Sequence, residues 1–280
     1  MTDVLFGEDY SHYNNFDLKH IKNNDKFVWL KGTQGIDFMD PSLADRKILL
    51  NVSKIPIGIY HFLTGDNPQH QFNYFILNSY TNGDFISGLD LERNVTDLSN
   101  NGTLSGAAVY AKFHYQVTGV YPILYCSATS LGSKYMACVN RYGKAVADKN
   151  LKILMSCLLW NVSQHPIVKP DQWKIVTFNQ YAIKGGIDQN EYFGNQDQLQ
   201  SFWFNNTIKI KKLDVSVNSL KGLNQHKIPQ YTGDKVKALN NGDRITVDLT
   251  EQETQVYGFN TYHWIKIYNQ DLWIDREYLL

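Results

Sequence analysis

Excess positive charge is missing from this 280-residue chain: 27 Lys and Arg balance 27 Asp and Glu, and no basic block stands out. Phosphate backbones are bound by concentrated Lys and Arg, so the composition argues against a nucleic-acid partner. Long hydrophobic runs are absent as well. No stretch reaches the roughly 20 apolar residues that a spanning helix needs, and no membrane insertion is expected. The first residues, MTDVLFGEDYSHYN, carry Asp3 and Glu8 and lack the apolar core of an export signal. Cysteine is scarce. Cys126, Cys138 and Cys157 lack metal-type spacing, and their odd number with apolar neighbours points to free buried thiols. Cys126 has no evident His–Asn partnership, against a thiol protease. His12 has no HxxxH-type companion, so no metal is expected, and no cofactor either. No Gly-rich phosphate loop follows the first apolar stretch, against nucleotide binding.

What is present is an ordinary globular balance, 43% hydrophobic and 19% charged, with aromatics at 14% and 18 tyrosines. Tyrosine offers a flat apolar face plus a hydroxyl, which suits both packing and stacking on sugar rings. To about residue 204, strand-like and helix-like stretches alternate. Strands are expected at 4–10, 26–31, 55–62, 85–92, 121–126, 153–160 and 173–181. Helical spacing falls at 16–21, 42–50, from Pro68 to Tyr80, from a Ser105 cap to Val117, at 130–142 and at 198–204. Strand then helix at 25- to 35-residue intervals describes a parallel sheet or barrel, and strands this apolar are buried on both faces. More than five such units, with polar residues at strand ends, favour a barrel. The late strands lack helices between them, so the closure should be irregular.

Near 206–212 the character changes. Short β-type segments follow at 213–217, 235–239, 244–249, 255–259, 264–268 and 272–274, with turns at Thr232-Gly233-Asp234 and Asn241-Gly242-Asp243. Strands this close leave no room for helices and describe a small all-β barrel. The expected fold class is α/β with a second, all-β domain, divided as 1–206 and 207–280.

The stretch with the clearest chemical content is Phe85-Ile86-Ser87-Gly88-Leu89-Asp90-Leu91-Glu92. In a strand, Asp90 and Glu92 would share one face, roughly 6.5 to 7 Å apart at Cα. Paired carboxylates perturb each other's protonation, and a proton donor beside a carboxylate is what cleavage of a sugar–sugar bond needs. In a parallel barrel the site lies at the C-terminal strand ends. Those ends carry Asp9, Lys31, Gln34, Tyr60, His61, Asp90, Glu92, Tyr125, Trp160, Gln180 and Tyr181, with Asp188 in the Gly-rich turn GGIDQN. Acids from several strand ends would therefore meet in one cleft. Plainer readings remain: Asp9 as a turn cap, Asp188 as an Asx-turn residue, His61 as a packed histidine, Trp160 and Tyr181 as core.

Residues 4–204 resemble the glycoside hydrolase family 25 lysozymes. The matching pieces are GEDYSHYN at 7–14, LKGTQG at 30–35, GIYHF at 58–62, GLDLE at 88–92, YPILYCS at 121–127, LLW at 158–160, FNQY at 178–181 and GGIDQN at 185–190. The resemblance implies an irregular barrel of the (β/α)5β3 type and an N-acetylmuramidase acting on bacterial peptidoglycan. It implies catalytic roles for Glu92 as acid, Asp90 as its ionised partner, and Asp9 and Asp188 as supporting acids. Asp90 would either stabilise an oxocarbenium-like centre or assist the substrate's own acetamido group. Substrate-binding roles fall to Tyr60, Tyr125, Trp160, Gln180, Tyr181 and Gln34; the family pattern carries Glu where this chain has Gln34. Residues 212–280 resemble bacterial SH3-type wall-binding modules, through Tyr262-His263-Trp264-Ile265-Lys266-Ile267, Leu272-Trp273-Ile274 and Tyr278-Leu279. Asn269-Gln270 stands there where a turn glycine is common. Together these imply a monomeric phage endolysin, made in the host bacterial cytoplasm and released to the wall at lysis. The competing readings are a catalytically inactive wall-binding or carbohydrate-binding protein, and a glycosidase acting on chitin.

Overall fold

The computed structural model describes residues 3–80, 85–93, 100–219, 223–226, 229, 235–257, 260–270 and 272–280. Two compact units divide the chain, 1–208 and 209–280.

Five strand–helix units build the first. They are β1 (Val4–Tyr10) with α1 (Leu18–Asn24), and β2 (Phe27–Gln34), with its short partner β3 (Phe38–Met39), before α2 (Leu43–Val52). Then come β4 (Ile57–Phe62) with α3 (Pro68–Ser79), β5 (Ile86–Asp90) with α4 (Leu104–Thr118), and β6 (Ile123–Cys126) with α5 (Ala128–Tyr142) and α6 (Lys144–Leu154). β7 (Leu159–Val162), β8 (Phe178–Lys184) and β9 (Ile187–Phe193) follow without helices, and α7 (Gln196–Asn206) comes last. The strand order is β1-β9-β8-β7-β6-β5-β4-β2-β3, and β1 also pairs with β2, which closes eight strands into a ring with β3 outside it. Every pair in the ring is parallel except the two that β9 makes. The expected irregular closure is this one reversed strand.

Aromatic packing fills the ring. Trp29 stacks on Trp160 with centroids 4.5 Å apart, and Phe27, Phe178 and Trp203 close around them. Room for Trp29 comes from Gly58, where a Cβ would lie 2.2 Å from the indole. At Gly7, opposite Phe27 in the parallel β1–β2 pair, a Cβ would lie 2.3 Å from the Phe27 carbonyl oxygen. The three thiols are free and buried.

Several local expectations need correcting. The cap of α4 is Thr103, whose side chain accepts from the Gly106 N–H; Ser105 lies inside the first turn and accepts from Asn150 at 2.7 Å. The expected strand at 153–160 is the end of α6, a turn, and the start of β7. Gly143, at φ 88, ends α5 and opens α6 directly, and the apolar run from Ile153 to Trp160 straddles three conformations. β5 stops at Asp90, so Glu92 lies beyond the strand. Asp188 is inside β9, because the turn is confined to Gly185 and Gly186, both with positive φ.

The second unit is one antiparallel sheet. Its strands are β10 (Lys212–Ser216), β11 (Leu223–His226), β12 (Lys235–Leu239), β13 (Arg244–Tyr257), β14 (Asn260–Ile267) and β15 (Trp273–Asp275). They are ordered β10-β13-β14-β15-β11-β12. Leu213, Val215, Val247, Ile265, Ile267 and Ile274 are buried, and His226 meets Trp264 edge-on. The expected segment at 244–249 and residues 255–257 of the one expected at 255–259 fall in one long strand, interrupted by a register shift between Asp248 and Gln252. β11 was not anticipated. Asn269 adopts a left-handed φ of 57, taking the conformation that a turn glycine would supply. The expected turn at 232–234, Gly258 and Phe259 lie outside the described residues.

Candidate active site

β9 runs against β1, and this places Asp188 directly opposite Asp9. Residues so opposed have Cα atoms roughly 4.5 to 5.5 Å apart. Asp90 closes β5 beside Tyr125 of β6, in a register row that continues to Trp160 of β7. Glu92 is two residues further, yet its approach is fixed. The Leu91 N–H donates to the Tyr125 carbonyl at 3.0 Å, and the Leu91 carbonyl accepts from Ser130 Oγ at 3.2 Å. Leu91 is itself fully buried. A residue outside the strand is thus anchored from both sides.

The four acids act on one another. Burial pushes the Asp9 carboxyl well above the usual range, and the charges of Asp188 and Glu92 push the same way. Burial raises Asp90 too, with Glu92 adding and Lys31 opposing. Glu92 is raised by burial and by Asp188, against Lys31 and Lys134. Burial raises Asp188. Asp90 Oδ1 is buried with no hydrogen-bond partner among the described residues.

Asp9 is held by a directed network. Asn190 Nδ2 donates to Asp9 Oδ2 at 2.7 Å, and Gln180 Nε2 reaches the same oxygen at 3.3 Å. Each amide is oriented from behind: Tyr125 donates its hydroxyl to Gln180 Oε1 at 2.6 Å, and Trp160 Nε1 donates to Asn190 Oδ1 at 2.7 Å. Because the indole and the hydroxyl are donors here, each amide must turn its N–H toward Asp9. Such bonds favour the ionised carboxylate against its burial.

The sequence-derived residues separate into groups. Asp9, Asp90, Glu92 and Asp188 come together, with Tyr60, Tyr125 and Gln180 among them; the Tyr60 and Tyr125 hydroxyls are held protonated by burial and by these acids. Gln34 connects indirectly, accepting from Lys31 Nζ at 2.8 Å, while Lys31 lies within the field of Asp90 and Glu92. Trp160 is 2% exposed and stacked in the core, so it works through Asn190 and not as a face for sugar. Tyr181 is not brought to the acids. Its ring meets Phe6 and Lys184 and lines a separate cavity with Glu8 and Asp25. The β8 register shift between Gln180 and Ala182 falls at this residue. His61 is framework: buried, bonded to Thr33 and Gln71, stacked on Tyr110, and pushed down to about 4 by burial.

Two contributors escaped the sequence reading. Asn190 was signalled by its spacing from Asp188, since period 2 puts both on one face of a strand; a turn assignment hid it. Lys134, on α5, donates to the Gly102 carbonyl at 2.6 Å and feels Asp90 and Glu92. Nothing in its sequence context marks it. Among the described residues, the one group of three His, Cys, Asp or Glu with ligand atoms within 4.8 Å is Glu8, His20 and Asp25, which does not include the four acids.

Comparison with known proteins bears on the fold and the family. Curated protein sequences give no match to the chain. Among solved structures, a bacterial lysozyme from Streptomyces coelicolor superposes with a TM-score of 0.60 at 18% identity, covering 72% of this chain and 98% of its own. A muramidase from Acremonium alcalophilum gives 0.57 at 20% identity, over 70% of this chain and 97% of its own. The spore cortex lytic enzyme SleM from Clostridium perfringens gives 0.54 at 16% identity, over 99% of this chain and 98% of its own. At these identities the likeness is one of fold. The sequence family described as Glycosyl hydrolases family 25 matches residues 8–189, well over half of the chain, and the chain belongs to that family.

Proposed function

We propose that the chain is an N-acetylmuramidase, a peptidoglycan hydrolase that cuts the β-1,4 bond between N-acetylmuramic acid and N-acetylglucosamine. Family membership supports the reaction class. The observation that carries the residue roles is the meeting of four mutually perturbed acids at the strand ends. Glu92 is the general acid. Its raised proton affinity keeps it protonated at higher pH than an ordinary glutamate, which is what protonating the leaving oxygen requires.

Asp90 acts as the ionised partner in the reaction. Burial and the charge of Glu92 push its carboxyl well above the usual range, and Lys31 and Lys134 are the cations that favour its carboxylate against them. Its unpartnered Oδ1 is suited to accept an acetamido N–H, orienting the acetamido oxygen toward the anomeric carbon. That oxygen bonds to the carbon as the glycosidic bond breaks and the Glu92 proton goes to the leaving oxygen. Water then adds to the anomeric carbon, returning a proton to Glu92 and freeing the acetamido group. Substrate assistance of this kind is a known departure from the two-carboxylate scheme. Asp9 and Asp188 hold the acetamido group, the water or the acid in place. Mass spectrometry of digested walls tests the bond assignment: muramic acid is expected at every new reducing end. Glucosamine at those ends would overturn it.

For the second unit we propose an SH3-like wall-binding module, supported by its small antiparallel sheet and the aromatic motif around Trp264. Tethering raises the local concentration of the enzyme, an effect of order 10²-fold or more in avidity. Removing residues 209–280 is therefore expected to lower the fraction that pellets with intact cells, while soluble fragments are still cut. Unchanged pelleting would remove the role. A phage-type setting, with synthesis in the host cytoplasm and access to the wall at lysis, completes the proposal.

A further inference from the structure

A second cluster of titratable groups lies apart from the four acids. Successive side chains of a strand alternate sides, so Glu8 points away from the side that Asp9 takes. There Glu8 of β1, His20 of α1 and Asp25, the residue that ends α1, each bring one ligand atom within 4.8 Å of the others. The three line a cavity of about 570 Å³, with Phe6, Tyr10, Tyr181 and Gln189. Glu8 and Asp25 are 4% and 8% exposed, while the His20 side chain is 47% exposed. The cluster is buried on the carboxylate side and open on the imidazole side.

Two carboxylates buried side by side need a shared proton or a positive partner. Among the described residues, neither makes an ion pair with Lys or Arg; the one ionic contact is His20 Nε2 to Glu8 Oε1 at 3.3 Å. Glu8 is otherwise well held. Gln189 donates to its Oε1 at 2.8 Å, and the Tyr10 hydroxyl donates to its Oε2. Asp25 is the opposite case: Glu8 apart, its buried Oδ2 has no hydrogen-bond partner among the described residues. An oriented carboxylate, an accessible imidazole and a second buried carboxylate whose neighbour is the first converge on one point.

We propose that Glu8, His20 and Asp25 form a site for a divalent transition cation of the zinc or manganese class, with water completing its coordination. Two carboxylate oxygens and one imidazole nitrogen suit these ions. Calcium takes six to eight oxygen ligands, which this set does not supply. Burial and Glu8, through its charge and a side-chain hydrogen bond, push the Asp25 carboxyl up to about 8, against the pull of Lys26. Asp17 and Lys184 also line the cavity. Asn24 Nδ2 lies 3.2 Å from His20 Nδ1, so ligation through Nε2 requires that amide to turn over and accept the Nδ1 proton. The bound ion joins α1 to the strand that supplies Asp9. The inference is independent of the glycosidase reading.

The test uses the full untagged chain, stripped with chelator and titrated calorimetrically with zinc chloride and with manganese chloride. One equivalent of at least one ion should bind, and saturation should raise the thermal midpoint. His20→Ala, at a half-exposed position, and Asp25→Asn should each weaken binding by about tenfold or more and abolish the thermal gain. No saturable binding of either ion to the parent chain would overturn the proposal, whatever the variants do. So would affinity unchanged in either variant, because the ion would then sit elsewhere.

Discussion

Glu92→Gln should lose most turnover and gain thermal stability at neutral pH. Glutamine keeps the side chain's size but has no proton to give to the leaving oxygen. General acid–base groups contribute roughly 10²- to 10⁴-fold, so the rate on purified walls should fall within or beyond that range. Wall binding should persist. The stability effect follows from proton linkage. Glu92 has its proton affinity raised in the folded state, so folding is favoured while the group is protonated. That favourable contribution is complete below the ordinary carboxylate range and is lost as pH rises through the raised folded value. At neutral pH the raised proton affinity of the folded Glu92 therefore opposes folding, because the unfolded chain ionises it more readily, and glutamine removes the opposition. Thermal scans at pH 4 and pH 7 should show the variant's advantage at 7 and little at 4. Near-normal lysis would sink the acid assignment. A variant less stable than the parent at pH 7 would sink the electrostatic account.

Gly58→Ala should damage the barrel through a single added methyl group. The added Cβ would stand 2.2 Å from the Trp29 ring, which is fully buried and stacked on Trp160. Neither indole has a free direction to move, with Phe27, Phe178 and Trp203 packed around the pair. Overpacking of this kind costs about 1–3 kcal/mol and occasionally more. For a unit of this size that is a fall in Tm of roughly 2–4 °C per kcal/mol. The damage should also reach activity, because Trp160 orients Asn190 and thereby Asp9. A thermal midpoint within experimental scatter of the parent would show that the core relaxes more freely than its packing implies.

The strand–helix rhythm was legible because buried parallel strands read as continuous apolar runs, and most helices present a spacing of 3.6. The rhythm failed where one apolar run served several conformations, as from Ile153 to Trp160. It failed again where a glycine pair was allowed to absorb its neighbours, as at Asp188. The acids were legible as residue types at strand ends. Their supports were less so. Trp160 reads from sequence as a surface for sugar, and only the closed ring of strands shows it as a buried donor to Asn190. Lys134 reaches the site from a helix face, and no periodicity connects α5 to Asp90. Tyr181 adjoins Gln180 in sequence but serves another cavity, since neighbours along a strand point apart.

The glycine at position 7 bears on how the barrel can assemble. Sliding β1 by one place against β2 would bring Phe6 or Glu8 opposite Phe27, each with a Cβ where none fits beside the Phe27 carbonyl. The same slip would exchange the two sides of the strand, sending Asp9 toward α1 and setting Glu8 or Tyr10 in its place before Asn190 and Gln180. A misaligned chain would thus meet a steric penalty and a mismatched side chain together. Correct alignment of β1 is enforced twice, once by a missing side chain and once by the side chain that Asn190 and Gln180 hold.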